Sequence, residues 1–405
     1  MRDFVVGGAV TPDDFMFREE TIEEIWESLR KDNILFLAPR RMGKTSVMHY
    51  LLENPKEDWL VIYLNVEELG TPGDFFLNLL DAIREFHPRF LKDHLSDACG
   101  FLKGLFSHIG EVEAFDFKIT LKNAGFEESW KDKARELMER IHQSGRKVLF
   151  LIDEFPDMLV RMQKLSDAEA STFLHFFRNI RIRPKSGIRW LLAGSVNLEG
   201  TLDRMGEIKS INDLDKITLP PFSLEEVESF ITQMLTEYKT EFEPAILKRI
   251  QDILGEPIPY FLQLLTQELY RCSKRNKGEK ITLETVDFVY EKALMGEKTR
   301  DKLQHFRSRI DLYYPEEEKE AACRLLDQLS ITERGHSRSA LFSLYRKEED
   351  KKSAPRSEQA LKKSFHNLLL LLESDFYIRE TGDEQLDFSN NLLKQWWKKY
   401  YGYHC

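Results

Sequence analysis

Residues 38–45, Ala-Pro-Arg-Arg-Met-Gly-Lys-Thr, constrain this chain more than any other stretch. Their spacing is that of the phosphate-binding loop G-x-x-x-x-G-K-[ST], with Ala38 in place of the first glycine. Alanine has the smallest side chain after glycine, so the exchange is mild if the backbone there keeps a negative φ. The apolar run Ile34–Leu37 precedes the loop, and a helical stretch over Ser46–Leu52 follows it. That strand, loop and helix is the context the motif requires; a chance turn carrying a lysine is the competing reading. In such a loop the backbone N–H groups and the first helical turn face a phosphate. Gly43 lets the backbone come close, Lys44 sets one compact cation between β- and γ-phosphates, and Thr45 offers a hydroxyl to Mg²⁺. Ala38, Pro39, Arg40, Arg41, Met42, Gly43, Lys44, Thr45 and Ser46 are therefore the candidate nucleotide contacts. Arg40 and Arg41 either touch phosphate or pair with acids.

The second feature is acidic. Val148–Ile152 is an unbroken apolar run, the mark of a strand buried on both faces of a parallel sheet, and Asp153-Glu154 follows it directly. A buried strand that delivers two carboxylates to its C-terminal end puts them where open α/β folds bind ligands. Asp153 would hold Mg²⁺, directly or through water, and Glu154 would act as general base on the attacking water. The plainer alternative is a helix cap ahead of Phe155-Pro156.

Three more stretches read as strands: Trp59–Val66, Trp190–Ala193 and, more weakly, Lys216–Leu219, with helical patterns between them. The expected fold class is α/β, a three-layer P-loop NTPase domain with a parallel sheet. Residues 74–145 read as mostly helical, broken by Gly100–Gly125, where Phe115, Phe117, Ile119 and Leu121 alternate like a hairpin arm. After Pro220-Pro221, Ser223 and Glu226 form a capping box that opens a helical segment. From Pro315 three helices precede two short strands, Phe376–Glu380 and Gln385–Phe388, and a last helix carries Trp396 and Trp397. The expected division is an ATPase domain over 1–220, a helical lid over 221–295, a linker over 296–314 and a winged-helix-like domain over 315–405.

With these motifs in hand, the chain resembles the archaeal-type P-loop ATPases of the AAA+/STAND group, relatives of the initiator-type AAA+ proteins. Phe15-Met-Phe-Arg-Glu19 looks like that family's approach to the nucleotide pocket, with Phe17 where glycine is usual and Arg18 beside it. Leu192-Ala-Gly-Ser-Val-Asn197 looks like the sensor strand, whose tip, Ser195 or Asn197, would bind the γ-phosphate or the lytic water. Ile217–Phe222 looks like the junction to the lid, and Gly255-Glu-Pro-Ile-Pro-Tyr260 is similar to the lid's Gly-x-Pro element, with Pro257 and Tyr260 near base or ribose. The resemblance implies ATP binding, slow hydrolysis with Mg²⁺ and a lid that moves with nucleotide state. Arg178, Arg181 and Arg183 precede the sensor strand, where an arginine finger often sits; the competing reading is a basic helix end favoured by the macrodipole.

The remaining features exclude more than they assign. Net charge is −10, which argues against a chain that coats nucleic acid. The four cysteines are widely spaced without a zinc pattern, and His142, His175 and His366 lack ligand spacing. No apolar run approaches a bilayer span and the N-terminus carries no leader pattern, so the expected setting is cytoplasmic. Leu368–Leu372 reads as a core helix. Residues 356–366, with Arg356, Lys362, Lys363 and His366, could touch DNA if the third helix enters a major groove, although a protein-contact module is the plainer reading. The leading expectation is an ATP-hydrolysing switch that controls a partner protein or a homo-oligomer. A DNA-binding ATPase of the initiator or transposition-regulator kind, and a nucleotide-binding scaffold with little turnover, are the alternatives.

Overall fold

Five stretches rich in branched and aromatic residues pair side by side, all parallel. They are β1 (Asn33–Leu37), β2 (Trp59–Asn65), β3 (Lys147–Asp153), β4 (Ile188–Gly194) and β5 (Leu214–Thr218), in spatial order β2-β3-β4-β1-β5. The computed structural model describes residues 4–8, 10–11, 14–39, 41–56, 58–95, 129–194, 198–350, 356–382 and 384–402. The hairpin arm expected near residues 115–121 lies outside them. β1 is buried at every position, as a strand covered on both faces must be. β5 closes one edge and buries only Leu214 and Ile217, which is why its apolar pattern is weak.

Alternate residues of each strand point to opposite faces. Leu35, Leu37, Val148, Phe150, Ile152, Trp190 and Leu192 share one core, while Ile34, Phe36, Leu149, Leu151 and Leu191 are fully buried on the other side. Helix α1 (Glu19–Ser28) lies against β1 and α2 (Lys44–Glu53) against β2. The first core is closed by α3 (Pro72–Phe86), α4 (Trp130–Gln143), α5 (Phe155–Leu165) and α6 (Asp167–Arg181). Its aromatic rings interlock: Phe150 stacks on Trp190 at 4.5 Å and Phe177 meets Trp190 edge-on at 4.8 Å. Such pairs contribute about 1 kcal/mol each beyond burial. Because the sheet is parallel, all C-terminal strand ends share one edge, so the loop after β1, Asp153 at the end of β3 and Gly194 at the end of β4 gather there.

The chain divides at Leu219/Pro220 into residues 9–219 and a second unit of 220–405 together with 1–8. Residues 4–8 thus belong with the second unit and not with the stretch they were expected to join. Phe4 stacks on Tyr238 at 4.9 Å and on Tyr270 at 6.0 Å, and Gln267 Nε2 donates to its carbonyl. The capping box opens α7 (Leu224–Glu237): Ser223 Oγ accepts from the Glu226 N–H, and Glu226 Oε2 accepts from the Ser223 N–H. Helices α8 (Ala245–Leu254), α9 (Pro259–Arg275) and α10 (Leu283–Val289) follow, and α11 (Glu297–Tyr313) occupies the charged stretch near residue 300.

Beyond Pro315 come α12 (Glu316–Ile331), β6 (His336–Ser337), α13 (Arg338–Glu349), α14 (Glu358–Ser374), β7 (Ile378–Glu380), β8 (Gln385–Phe388) and α15 (Asn391–Tyr400). β8 pairs antiparallel with both β6 and β7. Helix, strand, helix, helix, strand, strand is the winged-helix order, and β6 adds a two-residue strand too short to leave a pattern in the sequence. Leu368, Leu369, Leu371 and Leu372 are buried on α14, as a core helix requires, and both Trp396 and Trp397 are buried in this unit. Among the described residues no helix is long and apolar enough to cross a membrane.

Candidate functional site

The turn after β1 has the backbone its residues allow. Ala38 is fully buried and is not among the positive-φ residues, so the exchange of glycine for alanine leaves no strain there. Gly43 has φ 90°, and a β-carbon there would meet nothing within 4 Å; glycine is needed for its backbone angle and not for room. Gly43 is also the N-cap of α2, and no side chain caps that end. A helix N-terminus of this kind offers its first N–H groups and positive dipole end to an anion. Met42 is buried and Arg41 takes φ 72°; Arg40 lies outside the described residues.

Two motifs separated by 108 residues meet directly. The Thr45 hydroxyl donates to Asp153 Oδ2 at 2.8 Å, and Lys44 Nζ lies 3.9 Å from Asp153 Oδ1 and 3.8 Å from Glu154 Oε2. Asp153 is 1% exposed and Lys44 6%, so this charge cluster is held out of water. Asp153 does not cap α5. That N-cap is Glu154, in left-handed backbone at φ 56° and ψ 39°, and Asp153 Oδ1 accepts only the adjacent Glu154 N–H at 3.0 Å. The sharp turn at Glu154 also presents its carboxylate next to Lys44. Sequence reasoning missed Tyr63, whose hydroxyl donates to Asp153 Oδ2 at 3.2 Å. Burial, reinforced by the charge of Asp153, pushes its pKa well up, so it remains a donor. The available signal was two polar residues, Tyr63 and Asn65, in an otherwise apolar strand.

A hydroxyl and a buried carboxylate 2.8 Å apart are oxygen donors of the sort Mg²⁺ takes. Among the described residues no group of three or more His, Cys, Asp or Glu could hold a metal unaided. A cation at Thr45 and Asp153 would complete its ligands with phosphate oxygens and water.

The segment before α1 closes on the loop. Arg18 is buried and donates to the Met42 carbonyl at 3.4 Å. Phe17 has φ 60°, a left-handed backbone that glycine adopts without strain. Ser46, expected at the nucleotide, accepts the Val10 N–H on its hydroxyl at 3.2 Å and so anchors the N-terminal segment to α2.

The other candidates fall elsewhere. Ser195 and Asn197 lie outside the described residues. Arg181 is buried, with Nε and Nη2 each 3.1 Å from an Asp213 oxygen and Nη2 also on the Ser210 carbonyl. Arg178 Nε lies 3.5 Å from the same Asp213, and Arg183 Nη1 reaches Glu139 at 2.5 Å. The Arg181 guanidinium is buried and committed to its own chain, whereas Arg178 and Arg183 are partly exposed. In the second unit, the Pro257 carbonyl accepts from the Phe222 N–H at 3.2 Å and Tyr260 is buried against Phe261. Two of the basic residues of 356–366 are engaged with acids: Arg356 bonds Glu318 at 2.7 Å and Glu349 at 3.3 Å, and Lys362 pairs with Glu358 at 3.1 Å. A cavity of about 330 Å³ nearby is lined by Glu316, Glu317, Glu320, Glu348 and Glu349.

A parallel sheet in the order β2-β3-β4-β1-β5, with the loop after β1 facing an acidic end of β3, is the fold of the AAA+ P-loop ATPases. Among solved structures, the chain is similar over 96% of its length to 98% of the Walker-type ATPase PABY2304 of Pyrococcus abyssi, with 17% identity and a TM-score of 0.63. It also matches the Aeropyrum pernix ORC2 protein in ADPNP and ADP complexes, with 14% identity over 96% of this chain and 93% of that one and a TM-score of 0.46. The Thermotoga maritima RuvB Holliday junction branch migration motor matches at 14% identity over 93% and 94% and a TM-score of 0.41. No protein-family profile matches the sequence, and no curated protein matches it.

Proposed function

We propose that residues 9–219 bind ATP with Mg²⁺ and hydrolyse it, and that the chain is a nucleotide-driven switch controlling a partner protein or its own assembly. The observation that carries the reading is the 2.8 Å bond between Thr45 and Asp153, which joins two motifs 108 residues apart around one buried lysine. In this reading the N–H groups of Gly43, Lys44 and Thr45 cradle phosphate oxygens, and Lys44 neutralises charge on the β- and γ-phosphates. Thr45 and Asp153 hold Mg²⁺, which supplies electrostatic stabilisation of the phosphoryl oxygens. Glu154 orients and deprotonates the attacking water. Ser195 or Asn197 reads the γ-phosphate.

Lys44→Ala abolishes ATP binding on this reading, whereas Glu154→Gln retains binding and loses turnover. ATP bound equally well by Lys44→Ala, or hydrolysis unchanged in Glu154→Gln, refutes the assigned roles. Mass measurement with ATP, with ADP and without nucleotide, each with and without duplex DNA, separates a switch from a DNA-bound assembly or a static scaffold. The pairing of Arg356 and Lys362 with acids weighs against the DNA reading, because a cation that neutralises phosphate must first be released.

A further inference from the structure

The Asp153 carboxylate is fixed by more than the two motifs that define the site. Tyr63 and Asn65 stand two residues apart on β2 and so on the same face of the strand. The Tyr63 hydroxyl donates to Asp153 Oδ2 at 3.2 Å, the oxygen that also accepts from Thr45 at 2.8 Å. Asp153 Oδ1 is held by the Glu154 N–H at 3.0 Å, so both oxygens are pinned against rotation. The Tyr63 ring is itself braced: His49 of α2 meets it edge-on at 4.9 Å. Phenylalanine would fill the same volume on β2, so packing alone does not explain the hydroxyl.

We infer that Tyr63 is a positioning residue: by fixing the Asp153 carboxylate it orients the Thr45 hydroxyl, and so sets how tightly a divalent cation is taken with the nucleotide. This rests on the nucleotide-binding reading above. Thr45 has one hydroxyl proton and gives it to Asp153; its lone pairs then face away from the carboxylate, the orientation in which a hard cation can use them. Without Tyr63 the carboxylate can swing about its Cβ–Cγ bond, and the threonine hydroxyl turns with it. Residues that orient metal ligands from behind affect metal affinity by about ten- to a hundredfold.

The test is Tyr63→Phe in the full chain, read by a fluorescent ATP analogue first in EDTA and then with titrated Mn²⁺, with bound Mn²⁺ counted independently by electron paramagnetic resonance. Metal-free affinity is expected to stay within about twofold of wild type, because the loop and Lys44 are untouched. Mn²⁺ half-saturation is expected to rise by about ten- to a hundredfold. His49→Ala, which removes the edge-on ring contact that braces Tyr63, shifts it less and in the same direction, and it carries the measurement if Tyr63→Phe does not fold. An unchanged Mn²⁺ half-saturation in a folded variant, with or without a lower melting temperature, overturns the inference and leaves the site assignment standing. Wild-type protein that binds no analogue with or without Mn²⁺ overturns the nucleotide reading itself.

Discussion

Gly194→Ala tests the sheet edge where the site is built. Gly194 closes β4 and pairs with Leu37 of β1, the last strand residue before the phosphate-type loop. A β-carbon added to it would fall closer than 3.0 Å to both Cδ and Cγ of Pro156. A proline ring cannot rotate aside, and Pro156 is in the first turn of α5, directly after the Asp153-Glu154 turn. Ordinary contact begins near 3.4 Å, so the start of α5 must retreat by about 1 Å. Overpacking of this kind costs about 1–3 kcal/mol. For a unit of this size a loss of about 2 kcal/mol lowers the melting temperature by about 4–8 °C. The same displacement moves Glu154 relative to Lys44, and a misplacement approaching 1 Å can lower turnover by up to about a hundredfold. Calorimetry and steady-state ATPase measurements on Gly194→Ala, Pro156→Ala and the double variant read both effects. The double variant is expected to recover most of the loss, with a coupling of about 1–2 kcal/mol. A Gly194→Ala protein within about 0.5 kcal/mol of wild type, or a cycle without coupling, refutes the steric argument.

Arg181→Leu leaves Asp213 short of its buried partner and is expected to cost about 3 kcal/mol by calorimetry, whereas loss of a catalytic finger would leave the melting temperature in place and reduce only turnover. Burial raises the Glu256 carboxyl above its ordinary pKa, against the opposing charge of Arg379. The folded chain therefore binds this proton more tightly than the unfolded one, and the associated stability is lost as pH rises through the folded value. Glu256→Gln is expected to melt higher than wild type at pH 7, with the difference vanishing toward pH 4; a difference that grows on acidification refutes the sign. Burial pushes the Cys323 thiol up to about 12, so peptide mapping after alkylation at pH 8 finds Cys323 unmodified while the half-buried Cys272 reacts. Phe17 holds a left-handed backbone, so Phe17→Gly is expected to be about 1 kcal/mol more stable than Phe17→Ala; both lose the ring, and only alanine keeps the strain.

What could be read from the sequence was what repeats along it or sits close together. Four of the five strands of the parallel sheet announced themselves as apolar runs, the edge strand β5 only weakly, and the capping box at Ser223 is a four-residue signal that the backbone obeys. The motifs at Gly43–Thr45 and Asp153-Glu154 were legible because each residue type answers a local demand: a positive φ, a helix start, a buried strand end. Contacts set by tertiary structure were not legible. Tyr63 reaches Asp153 across 90 residues, and the Ser46 hydroxyl accepts from the Val10 N–H, 36 residues before it. Arg181 illustrates the converse: a basic residue before β4 looks available in one dimension, and it takes Asp213, thirty-two residues further on, to show that its buried guanidinium is already engaged. Strand order is likewise invisible to periodicity, because β1 and β3 are separated by β4, which enters the chain only after both.

The charges of the site explain why, on the proposed reading, nucleotide and metal belong together. Lys44 stands between two carboxylates, at 3.9 Å and 3.8 Å, in surroundings almost closed to water. Lys44 cannot also turn to a triphosphate without drawing its charge away from both. A buried carboxylate that loses its partner is strongly destabilised. Drawing Lys44 toward phosphate therefore creates a demand for positive charge at Asp153, and the Thr45–Asp153 oxygen pair is where a divalent cation meets that demand. The reverse holds as well: a cation there without phosphate would stand beside Lys44 with no anion to separate them. Each ligand is expected to tighten the other by the same factor, as linkage requires. The network around Asp153, Tyr63 included, is then what determines how large that factor is.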